Sequence, residues 1–207
     1  MIKLGDYNTL KVVKRVDFGL YLDGGDDGEI LLPTRYVPDG TTIGQKLEVF
    51  IYLDQDEKLV ATTLRPIAKV GEFAWLECAW TNEYGAFLNW GLMKDLFCPF
   101  REQKQRMVKG QRYYVYILED EKTHRLMATA KVERYQKKSG YELSLDFADE
   151  LLRYLKEHDG YCDLGDKSPA EDIAARFGVS KKIYKKAIGD LYRRRLITIS
   201  DQGINLV

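Results

Sequence analysis

Several features that define common function classes are scarce in this sequence of 207 residues. Its three cysteines, Cys78, Cys98 and Cys162, have neither metal-ligand spacing nor the even number of a disulfide framework, and its two histidines are scattered. No apolar run approaches the ~18–20 residues that a membrane span needs, and no segment resembles a signal peptide. We therefore expect a soluble cytoplasmic protein with reduced thiols, no membrane association and no metal or other cofactor.

Net charge is also absent, because 32 Lys and Arg residues balance 32 Asp and Glu residues. The chain therefore lacks the overall positive charge that would indicate nucleic-acid binding. The charges are not balanced locally, because residues 1–65 hold 8 basic against 11 acidic residues and residues 66–135 hold 11 basic against 9 acidic residues. No nucleophile with an adjacent base and no paired carboxylates stand out. The glycine-rich segment 24–28 lacks the Lys-Ser/Thr of a phosphate loop. The sequence predicts no enzyme.

What the sequence does contain is an internal repeat with a spacing of 66 residues. Each copy reads as about five short strands, rich in aromatic and β-branched residues and separated by glycines and charged turns. A unit of ~65 residues with five strands has the size of an oligonucleotide-binding (OB) barrel, whose second and third strands form the usual binding face. The landmarks that coincide are Gly5 with Gly71, Phe18-Gly19 with Tyr84-Gly85, Tyr21 with Phe87, Pro33 with Pro99, Gly44 with Gly110 and Asp54 with Asp120.

Each copy contains a glycine between two aromatic residues, in "DFGLYLD" (17–23) and in "EYGAFLN" (83–89). Residues three apart in a regular strand face opposite sides of the sheet. We interpret Gly19 as a β-bulge that shifts this parity, so that Phe18 and Tyr21 both face outward and can stack on unpaired bases, at about 1–3 kcal/mol per base. The open alternative is that these rings pack or contact another domain. Core residues are expected among the other aromatics of the second copy: Trp75, Trp80, Trp90, Tyr113, Tyr114 and Tyr116.

The segment "FGLYLDGGDDGEILLP" resembles the signature of the ribosomal protein S1-like domain, an RNA-binding variety of the OB barrel, and both copies match along their length. The resemblance implies an RNA site made of two aromatics, a third-strand position, and an Asp and a basic residue around the last hairpin. In the first copy these positions hold Phe18, Tyr21, Leu31, Asp54 and Lys58, and in the second copy Tyr84, Phe87, Phe97, Asp120 and Arg125.

The second copy is expected to make the stronger RNA contact. Leu31 departs from the histidine of the family, because leucine neither stacks like a ring nor donates a hydrogen bond. The second copy has three aromatic positions beside the basic stretch "KDLFCPFREQKQRMVKG" (94–110). Ring faces and cations together suit base stacking and phosphate tracking. The cations in this stretch are Lys94, Arg101, Lys104 and Arg106.

From Phe147 the periodicity becomes helical. The segment "SPAEDIAARFG" is predicted to begin with Ser168 as the N-cap of a capping box and to end at a left-handed Gly178, and Ser180 is predicted to cap the next helix. The final segment "ITISDQGINLV" reads as a hairpin with Gly203 in its turn. This order of helices and hairpin predicts a winged helix-turn-helix.

The third helix of this domain takes the recognition position and is strongly basic. Residues 181–195 carry seven positive charges against Asp190. A cationic helix on a neutral chain suits phosphate binding, whereas docking against the barrels or another protein is the open alternative. The candidate contacts are Lys181, Lys182, Lys185, Lys186 and Arg193.

The segment from Ser168 to Val207 closely resembles the carboxy-terminal domain of the conserved virulence factor B family, whose bacterial proteins place S1-like barrels before such a winged helix. The resemblance covers essentially the whole chain and implies an RNA-binding regulatory protein of the bacterial cytoplasm without enzymatic activity. The family usually has three barrels, whereas this chain has room for two. The short segment 136–146 contains "YELSLD", which alternates like the last strand of a barrel.

The predicted fold is therefore all-β plus α/β. It comprises two tandem five-stranded OB-fold (S1-like) barrels at 1–65 and 66–135, a linker or remnant strand at 136–146, and a winged helix-turn-helix domain at 147–207. The predicted function is non-catalytic binding of single-stranded RNA in post-transcriptional gene regulation. The alternatives are a transcriptional regulator that binds duplex DNA through the winged helix, and a protein-interaction scaffold.

Overall fold

The computed structural model describes residues 1–135, 140–200 and 202–207, and of residues 140–146 the backbone alone. The first repeat forms a closed five-stranded barrel. Strand β1 pairs with β2 and β4, and β3 closes the barrel through a parallel contact with β5, as in an OB fold. The strands are β1 (Tyr7–Val16), β2 (Gly19–Asp23), β3 (Glu29–Pro33), β4 (Lys46–Leu53) and β5 (Leu59–Thr62).

The second repeat forms a second closed barrel with the same strand order. Equivalent turn hydrogen bonds recur 66 residues apart, for example Thr34 N to Phe18 O at 3.0 Å and Phe100 N to Tyr84 O at 3.2 Å. The internal repeat is therefore confirmed at the level of single hydrogen bonds. Its strands are β6 (Phe73–Thr81), β7 (Gly85–Asn89), β8 (Leu96–Pro99), β9 (Arg112–Glu119) and β10 (Leu126–Thr129).

The interior of each barrel is filled by alternate residues of its strands, because successive side chains point to opposite faces. In β2, Leu20 and Leu22 are fully buried, as predicted, whereas Tyr21 between them is only half-buried. The second barrel repeats this pattern with Ala86 and Leu88. All three cysteines are free and buried, and burial raises the pKa of Cys98 to about 12. These thiols serve as small core residues.

The prediction that Gly19 forms a β-bulge is wrong. The register of β1 against β2 shifts between Val12 and Lys14, so Val13 is the extra residue. Gly19 instead lies where the chain passes close to β3, and a Cβ there would be 2.3 Å from the carbonyl oxygen of Leu32. A glycine is required at this position because of close packing.

Phe18 therefore reaches the outer face by another route than the one predicted. It precedes β2, in the turn that joins β1 to β2, and is 58% exposed. Its ring contacts that of Tyr21 edge-on, with centroids 6.4 Å apart. The two aromatic side chains share one side of the barrel, as predicted, without a bulge between them.

The two barrels form one compact unit, Met1–Lys131, and the apolar cluster of the second barrel includes Phe50, Tyr52 and Val60 of the first, whose remaining interior forms a cluster of its own. Phe50 of β4 packs edge-on against Trp90, with ring centroids 5.7 Å apart. The ammonium of Lys94 donates to the carbonyl oxygen of Asp54 at 2.6 Å. Burial of Trp90, which is 2% exposed, contributes hydrophobic free energy to the contact between the barrels.

The remaining described residues form a second unit, Val132–Val207, with three helices and a three-stranded sheet of order β11-β13-β12. This arrangement is the predicted winged helix, and the predicted fold class is confirmed. Phe147 packs edge-on against Phe177, with centroids 5.5 Å apart. The elements are α1 (Gly140–Glu157), β11 (Tyr161–Cys162), α2 (Ala170–Phe177), α3 (Lys181–Arg193), β12 (Ile197–Ser200) and β13 (Gly203–Leu206).

Two of the three predicted helix caps in this unit are confirmed. Ser180 Oγ accepts a hydrogen bond from Ile183 N at 3.4 Å, and Gly178 ends α2 with a left-handed φ of 67°. The capping box at Ser168 is wrong, because α2 begins at Ala170 and Ser168 Oγ accepts from Gly165 N instead. That hydroxyl orders the loop before the helix.

The segment 136–146, interpreted as a linker or remnant strand, falls partly outside the described residues, at 136–139. From Gly140 onward its backbone belongs to α1, so a strand does not occur there. The alternation of "YELSLD" is too short to distinguish a strand from the first turns of a helix.

Candidate nucleic-acid interface

Three aromatic side chains form a row across adjacent strands of the second barrel, and we call this row the aromatic ladder. Trp80 of β6 lies opposite Phe87 of β7, and Phe87 lies opposite Phe97 of β8. The rings of Trp80 and Phe87 are parallel within 2°, with centroids 3.7 Å apart, and Phe97 follows at 5.0 Å with a 40° tilt. Directly opposed residues on one face of a sheet pack in this way.

Trp80 is the ring of the ladder that lies on the surface. Trp80 is 43% exposed as a residue, whereas Phe87 and Phe97 are half-buried. Tyr84, in the turn before β7, is 66% exposed, and Asn82 Oδ1 fixes this turn by accepting from the backbone N–H groups of Tyr84 and Gly85 at 2.9 and 3.1 Å. The predicted residues Tyr84, Phe87 and Phe97 thus lie together, with Trp80 in addition.

The same face of the first barrel has different chemistry. The positions equivalent to Trp80, Phe87 and Phe97 hold Lys14, Tyr21 and Leu31. Lys14 Nζ lies 4.8 Å from the centroid of the Tyr21 ring and 3.2 Å from a carboxylate oxygen of Glu29. This cation–π contact covers the Tyr21 ring and leaves Phe18 as the most exposed ring of that face.

The two predicted acidic residues organise the last hairpin of each barrel. Asp54 Oδ1 accepts from the N–H groups of Asp56 and Lys58, both at 2.9 Å. Asp120 Oδ1 accepts from the N–H groups of Lys122 and Thr123 at 3.0 and 2.9 Å. Hydrogen bonds from the backbone and hydroxyl of Thr123, the N–H of Lys122 and the nearby Arg101 charge lower the pKa of Asp120. Lys58 is exposed beside its turn.

Two of the predicted cations are engaged between the barrels. Lys94 donates to the carbonyl oxygen of Asp54, and burial lowers the pKa of its ammonium. Arg125 pairs with Glu57 of the first barrel. Both side chains therefore stabilise the contact between barrels, a role that their positions in the sequence did not indicate.

Other cations of the basic stretch border the ladder strands. Arg101 lies in the short helical turn that follows β8, and its side chain is 72% exposed. Its guanidinium lies 3.4 Å from a carboxylate oxygen of Asp120. The guanidinium of Arg106 lies 3.4 Å from the centroid of the Phe100 ring. Phe100 N bonds to Tyr84 O, so this stacked pair adjoins the turn that carries Tyr84. Arginine in this setting offers both charge and a planar stacking surface.

Helix α3 of the winged helix unit presents lysines to solvent. Lys182, Lys185 and Lys186 are exposed, whereas Lys181 is half-buried and its ammonium lies 3.5 Å from the carbonyl oxygen of Lys167. Arg193 is exposed and lies 3.7 Å from Asp190. The opposite side of the helix is buried, as predicted, and consists of Tyr184, Ala187, Ile188 and Leu191.

Within the described ranges, no cluster of His, Cys, Asp and Glu could hold a metal ion. No helix among the same residues is long and apolar enough to cross a membrane.

Comparisons with known proteins agree with this architecture. The S1 domain family matches residues 4–64, which include the first barrel, and the CvfB-like winged helix domain matches residues 149–206. The chain is 24% identical to uncharacterized protein YitL of Bacillus subtilis strain 168, with 91% of this chain and 89% of the relative covered. That match extends over 265 positions, so YitL contains residues within it that this chain lacks.

The chain is also similar to staphylococcal proteins named Conserved virulence factor B. It is 25% identical to that of Staphylococcus saprophyticus, with 99% of this chain and 72% of the relative covered, and 24% identical to that of Staphylococcus epidermidis RP62A, with 97% and 70% covered.

A solved structure shares the fold: a multidomain protein with nucleic acid binding domains from Streptococcus pneumoniae TIGR4. It has a TM-score of 0.54 and 18% identity, covering 99% of this chain and 98% of that one. The chain thus combines S1 and winged helix domains, which are nucleic-acid-binding modules. These findings confirm the predicted resemblance to the conserved virulence factor B family, in both matched domains and along nearly the whole chain.

Proposed function

We propose that this protein is a non-catalytic regulator that binds single-stranded RNA in the bacterial cytoplasm and acts in post-transcriptional gene regulation. The observation that carries the proposal is the aromatic ladder of the second barrel with the exposed Tyr84 beside it. Aromatic rings on the outer face of an OB barrel stack on unpaired bases, which a duplex does not offer.

The surroundings of the ladder support a polyanionic ligand. Arg101 and Arg106 are exposed on the segment that follows β8, and Arg106 is stacked on Phe100. Cations beside stacking rings contact the phosphates of a bound strand and make its affinity depend on salt. Occupancy of an RNA by such a protein alters its folding, decay or translation without any chemical step.

A second candidate function rests on α3. Lys182, Lys185 and Lys186 are exposed on the helix that enters the major groove in helix-turn-helix proteins. This surface favours duplex DNA as an additional ligand, or an acidic protein as a partner of the winged helix.

Fluorescence anisotropy tests both functions. A labelled single-stranded RNA and a matched DNA duplex are titrated across a salt series with the wild type, with a Phe87→Ala/Phe97→Ala variant and with a Lys182→Glu/Lys185→Glu variant. We expect RNA to bind more tightly than duplex, with affinity falling as salt rises. The affinity of the ladder variant for RNA should fall about 5- to 150-fold for each base stack that it loses, because each stack contributes ~1–3 kcal/mol.

The two variants serve as controls for each other. If the duplex binds more tightly and only the α3 variant weakens it, the winged helix is the principal site and the RNA proposal is wrong. If neither nucleic acid binds at moderate salt, both proposed ligands are excluded, and the rings serve packing or a protein contact instead.

A further inference from the structure

The structure assigns a stacked base to Trp80, which lies outside the S1 signature, rather than to Phe87, which is one of the three aromatic positions that the signature indicates. We infer that one face of the Trp80 indole receives an unpaired base of the bound strand and that Phe87 acts as its support. This inference rests on the proposed RNA-binding function and adds a contact residue to it. Its evidence is the order of rings in the ladder, the exposure of each ring and the hydrogen bond of the indole.

Phe87 is the middle ring of the ladder. Trp80 lies parallel to it at 3.7 Å, which is the spacing a stacked base would take, and Phe97 lies at 5.0 Å on β8. A base cannot stack on the side of Phe87 that the indole already covers. The stack can be extended only at an end, and Trp80 is the end ring that is 43% exposed.

The exposed indole is also held in place. Its Nε1–H donates to a carboxylate oxygen of Asp95 at 3.0 Å, while its ring face packs on Phe87. An exposed aromatic side chain with two fixed contacts loses little rotamer freedom when a ligand binds. The arrangement is therefore prepared to accept a planar ligand before the ligand arrives.

The first barrel shows what the same position does with another residue. Lys14 takes the place of Trp80, and its ammonium lies over the Tyr21 ring at 4.8 Å. A lysine there covers the neighbouring ring with a charge and offers no face for a base. The two barrels thus have the same strand arrangement but differ, at this position of the sheet, in the ligand chemistry that the side chain offers.

Intrinsic fluorescence isolates Trp80 as a reporter. The other two tryptophans, Trp75 and Trp90, are 8% and 2% exposed, so quenching by a stacked base reports on Trp80. The probe is an unlabelled oligouridine of about 10 nucleotides, within the length that one OB fold covers. Anisotropy of the same oligonucleotide carrying a fluorescein measures binding independently of the quenching.

The variants are Trp80→Phe, Trp80→Lys and, as the matched control, Tyr161→Ala, which removes a ring of similar exposure, 42%, from β11 of the winged helix unit. We expect the wild type to bind with strong quenching. Trp80→Phe should retain most of the affinity and lose the quenching signal. Trp80→Lys should weaken binding about 5- to 150-fold, the effect of one stacked base. Tyr161→Ala should change affinity less than twofold, because its ring lies on β11 and not on the ladder.

Trp80→Lys introduces the residue that the equivalent position of the first barrel carries, so the variant should fold, and circular dichroism verifies this. If oligouridine binds by anisotropy without quenching and Trp80→Lys binds like the wild type, the assignment to Trp80 is overturned while RNA binding stands. If oligouridine does not bind the wild type at all, the proposed function and this assignment both fail.

Discussion

The carboxylate of Asp120 organises the turn between β9 and β10 through hydrogen bonds that only its ionised form accepts fully. These bonds, with the charge of Arg101, hold its pKa below the ordinary 3.8. A depressed carboxyl pKa stabilises the folded state above the unfolded pKa, and this contribution disappears as the pH falls through the folded pKa.

We therefore expect Asp120→Asn to lower the free energy of unfolding at neutral pH by an amount that shrinks as the pH falls below 3.8 and vanishes only below the lower pKa of the folded state, where the wild-type carboxyl is neutral as well. Urea unfolding of wild type and variant at a series of pH values measures the difference. A difference that stays constant down to strongly acidic pH would show that the side chain acts through shape rather than charge.

Some residue roles were visible in the sequence and others were not. Phe18 and Tyr84 were predicted at the surface from the repeat, and both are exposed. Trp80 was grouped with core candidates, because nothing local distinguishes it from Trp75. The missing signal was the bulge in β6, which the register places at Ala79, a residue without turn or glycine chemistry. Lys94 was interpreted as a phosphate contact, because the sequence does not show that its hydrogen-bond partner is the carbonyl oxygen of Asp54, 40 residues away.

At the scale of elements, glycines have opposite effects according to their surroundings. A Cβ at Gly85 would lie 2.4 Å from the carbonyl oxygen of Cys98, in the packed barrel, whereas a Cβ at Gly189 would meet nothing within 4 Å on α3. Glycine in a helix interior costs up to about 1 kcal/mol relative to alanine.

Gly189→Ala should therefore raise the stability of the winged helix unit by up to about 1 kcal/mol. Gly85→Ala should destabilise the second barrel by about 1–3 kcal/mol, because backbone must shift to admit the methyl group. Thermal unfolding of the two variants beside the wild type measures both effects. A loss of stability in Gly189→Ala would mean that its position on α3 is packed.

The element order was predictable from two patterns in the sequence. The repeat gave the two barrels, and the change to helical periodicity gave the winged helix. Cap residues were less reliable, since Ser180 caps α3 as predicted whereas Ser168 bonds to Gly165 N in the preceding loop. A serine before a helix can serve either the helix or its loop, and sequence alone does not decide between them.

At the scale of the whole molecule, the contact between the barrels should make them unfold together. Trp90 contacts Phe50 of the first barrel, and its Nε1–H donates to Lys94 O at 2.7 Å. Removal of a buried tryptophan side chain costs about 3–5 kcal/mol. We expect Trp90→Ala to lower the hydrogen-exchange protection of slow amides in β1–β5 as well as in β6–β10.

The winged helix unit provides the internal control for this prediction, because it is a separate compact unit from Val132 onward. Its amides should keep their protection in Trp90→Ala. Loss of protection restricted to β6–β10 would show that the barrels are independently stable and that the contact between them contributes little to stability.

The packing of the two barrels against each other also has a consequence for the length of a bound strand. Two stacking faces joined by a flexible linker tolerate any spacing between their binding segments. Two faces on one packed body, with Phe18 on the first and Tyr84 on the second, require a spacer of fixed minimal length. On the proposed function, such a protein would measure the distance between two unpaired stretches of RNA, and its selectivity would lie in that distance even where each base is bound without preference.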